Sequence, residues 1–338
     1  MVQPEDEPAV AMIYASRDGT GSASVFAASA VIPRGMTVAA LQTWRTELVL
    51  VVRAPVDQGA VTRLLHDEVA RMDRAASRFR DDSELSRVNR ATGQWVDVSA
   101  YLGEVLVSSL EAAELTDGLV NPCMGGAVDA AGYRTWRDGR EPDTHVPNTG
   151  DVRELWRHVE MRRNGSDVEV RIPPAAQLDV GAVAKGWLAD RLAVIAAQRF
   201  SADAMANMGG DLRVVTGDRP WTVLVDPEIP GVEAQSLEVW DAGLATSGTG
   251  RRRWTSADGT AAHHIIDPRT SVPADTAWTT CSVLAATAAQ ANAASTAGII
   301  LGEAGPRWVG QQGLDAWFVA EDRQVRVGRW PEPDGVTA

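Results

Sequence analysis

The chain alternates between short apolar runs of β character and longer stretches whose apolar positions recur every three or four residues. Thr46 to Arg53 is the clearest strand, centred on Leu48-Val49-Leu50-Val51-Val52. It feeds a helix in which Val61, Leu64, Leu65, Val69 and Met72 share one face, and which ends just before Ser77. A second helix is expected after Ser99, whose hydroxyl suits an N-cap, with Leu102, Val105, Leu106, Ser109, Leu110 and Ala113 on one side and Asp117-Gly118 as its stop. Asn164-Gly165 favours a hairpin turn, and Val168, Val170 and Ile172 alternate with polar residues beyond it. Further strands are expected at 204–208, 212–215, 221–225, 237–240, 281–284 and 314–319. A third helix is expected from about Gly181, where Ala184, Trp187, Leu188, Arg191, Leu192 and Ile195 keep helical spacing, and a small-residue helix from Ala288 to Gly302.

Strands outnumber helices and arrive in runs. The fold class is therefore α+β, mixed β-sheets with packed helices, rather than a doubly wound parallel sheet. Residues 1–40 read as a flexible N-terminal arm, because Ser16 to Ser29 is rich in Gly, Ser, Ala and Thr. Residues 41–330 read as the folded domain and 331–338 as a short tail. Tyr133 to Gly150, rich in Arg, Asp, Gly and Pro, reads as a surface connection.

Composition narrows the function classes. A chain of 338 residues with 45% hydrophobic content can bury a large core. A formal net charge of -13 argues against a nucleic-acid surface, which needs clustered Lys and Arg; Arg251-Arg252-Arg253 is the one basic cluster. Cys123 and Cys281 form neither a disulfide framework nor a zinc pattern. No apolar run reaches the ~18 residues of a membrane-spanning helix. The acidic start, Met1 to Glu7, does not resemble a secretory signal.

Candidate chemistry sits in blocks where a fold alone would ask for apolar filler. These are Ser77-Arg78-Phe79 leading into Asp82 to Ser86, Leu178-Asp179-Val180-Gly181-Ala182-Val183-Ala184-Lys185-Gly186, Asn207-Met208-Gly209-Gly210-Asp211, and His264-Ile265-Ile266-Asp267-Pro268-Arg269-Thr270. The second opens a helix in a small-residue loop, where free backbone N–H groups, the dipole and Lys185 suit a pyrophosphate. Read alone, Gly209-Gly210-Asp211 is a turn, and so is Thr246-Ser247-Gly248. Adjacent His263 and His264 followed by Asp267-Pro268 make a polar cluster fit for proton transfer. Asn292 and Thr296, four apart on one helical face, offer two oxygens to a hard cation.

Together, in this order, the blocks resemble the FAD:protein FMN transferases, the ApbE family, from about Trp44 to about Ala320. The resemblance implies an ApbE-like (T-fold-like), two-lobed architecture with the nucleotide in a central cleft. It implies transfer of the FMN moiety of FAD to a Thr or Ser hydroxyl of a target flavoprotein, assisted by Mg²⁺, with AMP released. Hydrolysis of FAD to FMN and AMP, and flavin binding without turnover, stand as alternatives. The residues carried over as FAD contacts are Ser77, Arg78, Phe79, Glu84, Asn121, Asp179, Lys185, Asn207, Gly209, Gly210, Asp211, Thr246, Ser247, Gly248, His264 and Thr270. Asn292, Thr296 and the carbonyl of Ala182 carry over as metal ligands, and His264 or Asp267 as the base. The chain departs from the family at Asn292, where the family has aspartate, and at Ala182 and Ser271, where it has glycine. Leu119-Val120-Asn121 also departs, since the family has phenylalanine and aspartate before the proline. Family members are often exported lipoproteins; the absence of an N-terminal lipid-bearing cysteine here points to the cytoplasm.

Overall fold

The computed structural model describes residues 10–14, 35–130, 152–165, 167–250, 253–255 and 261–332. At its centre lies an eight-stranded antiparallel sheet. Its strands are β1 (Thr37–Thr43), β2 (Thr46–Val52), β3 (Ala204–Met208), β4 (Asp211–Val215), β5 (Gly243–Gly248), β6 (Thr280–Ala285), β7 (Asp315–Val319) and β8 (Gln324–Val327). In these labels the spatial order is the chain order, so each strand pairs with its predecessor. What varies is the length of the connections. The β3–β4 link is the Gly209-Gly210 turn, whereas β2 to β3 spans about half the chain's motifs and most of its helices.

Those helices are α1 (Gln58–Ala76), α2 (Glu84–Arg90), α3 (Ala100–Leu115), α4 (Gly125–Ala130) and α5 (Ala184–Phe200); α6 (Ala288–Ile300) and α7 (Gly305–Gln311) join β6 to β7. The continuous apolar run of β2 follows from burial on both faces. Leu48, Leu50 and Val52 pack with α1, α3 and α5, while Val49 and Val51 pack with Trp221, Val223 and Leu237 of a second sheet formed by Val10–Tyr14, Trp221–Asp226 and Gln235–Val239. A third sheet contains the expected hairpin, with Glu160–Asn164 paired to Asp167–Arg171. Ser99 caps α3 as expected, accepting from Leu102 N at 3.3 Å.

Two expectations are corrected. Of the flexible arm expected over residues 1–40, residues 1–9 and 15–34 lie outside the described residues, but Val10–Tyr14 pairs in parallel with Trp221–Asp226, and β1 already begins at Thr37. The pentapeptide Val-Ala-Met-Ile-Tyr has strand character that the surrounding Gly/Ser/Ala composition hides. Helix α5 starts at Ala184, not near Gly181, because residues 181–183 form a turn whose Val183 lies at φ −129°. Ser271, where the resemblance implies glycine, lies at φ 59°, in the left-handed region that glycine enters freely. Tyr133 to Gly150, Arg251, Arg252 and most of the 331–338 tail lie outside the described residues. No helix among the described residues is long and apolar enough to cross a membrane.

Candidate functional site

A cleft of about 320 Å³ opens where the β3–β4 turn, the end of β5, the N-terminus of α5 and one face of α6 meet. The meander explains the meeting. Asp211 opens β4 opposite Ala245 of β5, and Ser247 of β5 pairs with Cys281 of β6, which leads directly into α6. Blocks separated by tens of residues thus become neighbours on adjacent strands.

The turn needs its glycines. Gly209 and Gly210 lie at φ 71° and 104°, and a Cβ on Gly209 would stand 2.5 Å from Thr46 Oγ1. Asn207 holds the turn from below, its Oδ1 accepting from Gly210 N at 2.8 Å. On the far side, Asp179 N donates to Pro122 O at 2.7 Å, and the amide of Asn89 brackets Leu178 through both backbone groups at 2.7 and 2.9 Å. Asp179 Oδ1 accepts from Gly181 N at 2.7 Å and its Oδ2 pairs with Arg78 Nε at 2.8 Å. Asp179 therefore caps the turn before α5 rather than α5 itself.

Two polar chains cross the floor. In one, Lys185 Nζ reaches Asp211 Oδ2 at 2.8 Å, and Asp211 Oδ1 accepts from Asn292 Nδ2 at 2.7 Å. In the other, Ser247 Oγ lies 2.8 Å from both Ser295 Oγ and Thr296 Oγ1, while Thr246 and Ser282 share a hydrogen bond of 2.8 Å. Asn121 is buried at the cleft wall, its amide engaged with Gly118 O and Cys123 N. Leu119, Val120, Met124, Val128, Ile265 and Ile266 make an apolar wall.

Of the expected contacts, Asn121, Asp179, Ala182, Lys185, Gly209, Gly210, Asp211, Thr246, Ser247, Gly248, His264, Asn292 and Thr296 line this cleft together. The others do not. Arg78 and Phe79 line a separate cavity of about 460 Å³ with Asn89 and Gln177, and the Arg78 guanidinium sits 4.4 Å from the Phe79 ring centre. Arg78 is joined to the cleft lining through its pair with Asp179, while Asp129, its other carboxylate partner, lines the separate cavity. Ser77 ends α1, donating its N–H to Asp73 O. Glu84 accepts from Ser99 N and Oγ at 2.6 and 2.8 Å, which ties α2 to the start of α3. Asp267 is bound by the Arg269 side chain through both oxygens, at 2.7 to 3.1 Å, and Thr270 is exposed beside it.

The adjacent histidines separate. His263 is buried, accepting from Ile265 N at Nδ1, which leaves Nε2 as the donor to Ala274 O at 3.1 Å. His264 faces the cleft. Sequence reasoning missed Arg45, Glu228, Thr280 and Ile300 in the lining, and Ser295 behind it. Ser295 had a signal, standing three residues from Asn292 on the same helix. Arg45, exposed in the Trp44-Arg45 turn at φ 58°, had none.

Sequence and fold comparisons agree. The sequence profile of the ApbE family matches residues 37–318, which is most of the chain. This chain belongs to the ApbE family. The FAD:protein FMN transferase of Treponema pallidum is 32% identical over 272 residues, covering 73% of this chain and 74% of that one. The FAD:protein FMN transferase of Klebsiella pneumoniae is 28% identical over 278 residues, covering 77% and 85%. Among solved structures, the apo flavinyl transferase ApbE of Pseudomonas stutzeri superposes with a TM-score of 0.74 at 20% identity, over 86% of this chain and 94% of that one. At that identity the likeness speaks for the fold. This ApbE-family chain shares its α+β architecture.

Proposed function

We propose that this chain transfers the FMN moiety of FAD to a threonine or serine hydroxyl of an acceptor flavoprotein, releasing AMP. The observation that carries this reading is the single cleft in which the blocks around Asp179, Gly209, Ser247, His264 and Asn292 converge. Its division supports an amphipathic dinucleotide: the apolar wall offers a surface for a flat ring, and the polar floor with Lys185 and the turn N–H groups suits a pyrophosphate. The related transferases of T. pallidum and K. pneumoniae carry this activity in their names.

The acceptor oxygen forms a bond to the phosphorus nearer riboflavin. The bond from that phosphorus to the bridging oxygen breaks, and AMP leaves with the oxygen. His264 takes the hydroxyl proton, since Asp267 is committed to Arg269 and lies outside the cleft lining. Lys185, held in place by Asp211, fixes positive charge beside the phosphates before the reaction starts.

The donors fit a hard cation. Asn292 Oδ1 is buried at the cleft wall without a hydrogen-bond partner among the described residues, which is costly unless a donor or a cation engages its lone pairs. With Thr296 Oγ1 and the Ala182 carbonyl it would hold Mg²⁺, an oxygen-seeking ion. When bound, the ion supplies neutralisation of the phosphate oxygens.

Incubation of the protein with FAD, Mg²⁺ and an acceptor peptide, read by mass spectrometry, tests the reading. A peptide gaining the mass of FMN less water is expected. Free FMN and AMP without adduct would identify a hydrolase, and intact FAD a binding protein; either result overturns the proposal.

A further inference from the structure

We propose that the divalent cation enters this cleft only together with the nucleotide, because the protein oxygens that would hold it, Asn292 Oδ1, Thr296 Oγ1 and the Ala182 carbonyl, are neutral dipoles. The inference rests on the transferase reading above. It starts from the orientation of one amide. Asn292 Nδ2 donates to Asp211 Oδ1 at 2.7 Å, and a carboxylate paired with Lys185 can only accept, so the amide nitrogen is fixed on that side. Oδ1 is therefore turned away from Asp211, and it is buried with no hydrogen-bond partner among the described residues. A neutral oxygen waits where a cation would sit.

Two of the three carboxylates in the lining are already engaged. Asp211 gives Oδ2 to Lys185 and Oδ1 to Asn292, and its side chain is 3% exposed. Asp179 gives Oδ1 to Gly181 N and Oδ2 to Arg78. Glu228, the remaining carboxylate of the lining, is exposed. No group of three or more His, Cys, Asp or Glu suited to a metal occurs among the described residues. Thr296 Oγ1 is neutral and shared with Ser247. Mg²⁺ sheds its water reluctantly and is usually held by carboxylates plus substrate phosphates. With neutral ligand oxygens and with Asp179 and Asp211 engaged, the phosphates supply most of the charge. Each phosphate of FAD is anionic, and the Lys185 ammonium on the same floor draws that group in.

Coupling of this kind is reciprocal: whatever factor FAD adds to cation affinity, the cation adds to FAD affinity. The probe is Mn²⁺, whose free-ion resonance disappears on binding, titrated into the full-length protein alone, with FAD, and with FMN, after subtracting the Mn²⁺ complex that FAD forms by itself. Little binding is expected without nucleotide. FAD should tighten Mn²⁺ by at least about tenfold, within the usual 5–150-fold span of such couplings, and FMN by much less. Asn292→Asp should bind Mn²⁺ without nucleotide and show a smaller factor. Asn292→Ala, which removes the oxygen, should lose the FAD-dependent Mn²⁺ binding while keeping cation-independent FAD binding. Wild-type protein that binds Mn²⁺ equally well with and without FAD overturns the coupling and leaves the transferase reading standing. A protein that binds no FAD under any condition overturns both.

Discussion

Lys185→Met tests whether the cleft floor is held by a charge pair or merely filled. Lys185 Nζ stands 2.8 Å from Asp211 Oδ2, with side chains 21% and 3% exposed. Removing one partner of a fully buried pair costs about 3–5 kcal/mol, because the other charge is stranded. Water reaches Lys185 in part, and Asp211 retains the Asn292 amide, so roughly 2–3 kcal/mol is expected. In a chain of this size that lowers Tm by about 4–6 °C, at about 2 °C per kcal/mol. FAD affinity should fall as well, since a stranded carboxylate then faces the phosphates. The decisive measurement is a double-mutant cycle with Asp211→Asn, a shape-preserving change that removes the stranded charge. Urea unfolding should find Lys185→Met combined with Asp211→Asn more stable than Lys185→Met alone, with a coupling of about 1–3 kcal/mol. Simple additivity, with the double variant the least stable of all, would refute the pairing and the mechanism's use of Lys185 as a positioned charge.

His264→Ala should slow FMN transfer by about 10²–10⁴ at saturating FAD and cation while leaving FAD affinity little changed. A joint loss of rate and FAD binding in a folded variant would make His264 a nucleotide contact instead of a base. Burial pushes the Asp190 carboxyl up to about 6 from 3.8, against the N–H donors of Ala288 and Ala289 and the charge of Arg213 that pull it down. The folded state thus prefers the protonated form: this contribution to stability is complete below pH 3.8 and is lost as pH rises through 6, about 3 kcal/mol in all. Asp190→Asn should flatten the pH dependence of unfolding between pH 4 and 7, and an unchanged slope would contradict it. Without cation, Asn292→Asp places two carboxylates where a 2.7 Å hydrogen bond now stands, so it should melt below wild type at neutral pH and recover on adding Mg²⁺ or lowering pH.

Much of the fold was legible because period and capping are local signals. Ala204–Met208 was expected with its observed bounds, and Ser99 caps α3 through its own hydroxyl. The missed elements are those with weak local signals. β1 lies at the sheet edge, half exposed and ending in Gln42 and Thr43, so its alternation is faint. Val10–Tyr14 was lost because composition was averaged over the surrounding arm. The start of α5 slipped by three residues, since periodicity cannot separate a helix from the turn that leads into it. At the site, residue types in motifs were legible but their facing was not. Phe79 and Arg78 line a neighbouring cavity shared with Gln177 and Leu178, a juxtaposition that sequence order does not contain. The carboxylate of Asp190 receives Ala288 N and Ala289 N at 2.7 and 3.0 Å from a segment about a hundred residues away, a contact that no local pattern carries.

Asp190 also shows why the two walls of the cleft act as one unit. It belongs to α5, whose first turn carries Lys185, and it grips the first turn of α6, which carries Asn292 and Thr296. Gly186 permits this crossing: a Cβ there would lie 2.8 Å from Ala289 Cα and N. The donors toward phosphate and those toward cation are therefore fixed relative to each other by backbone contacts rather than by the ligands. Such rigidity removes the cost of reorganising dipoles when charge develops at the phosphorus. It also limits what the amide at position 292 gives up. On the coupled-loading proposal the nucleotide would deliver the charge to an oxygen already held in place, so an amide at position 292 would change the order of loading more than the arrangement of the groups around it.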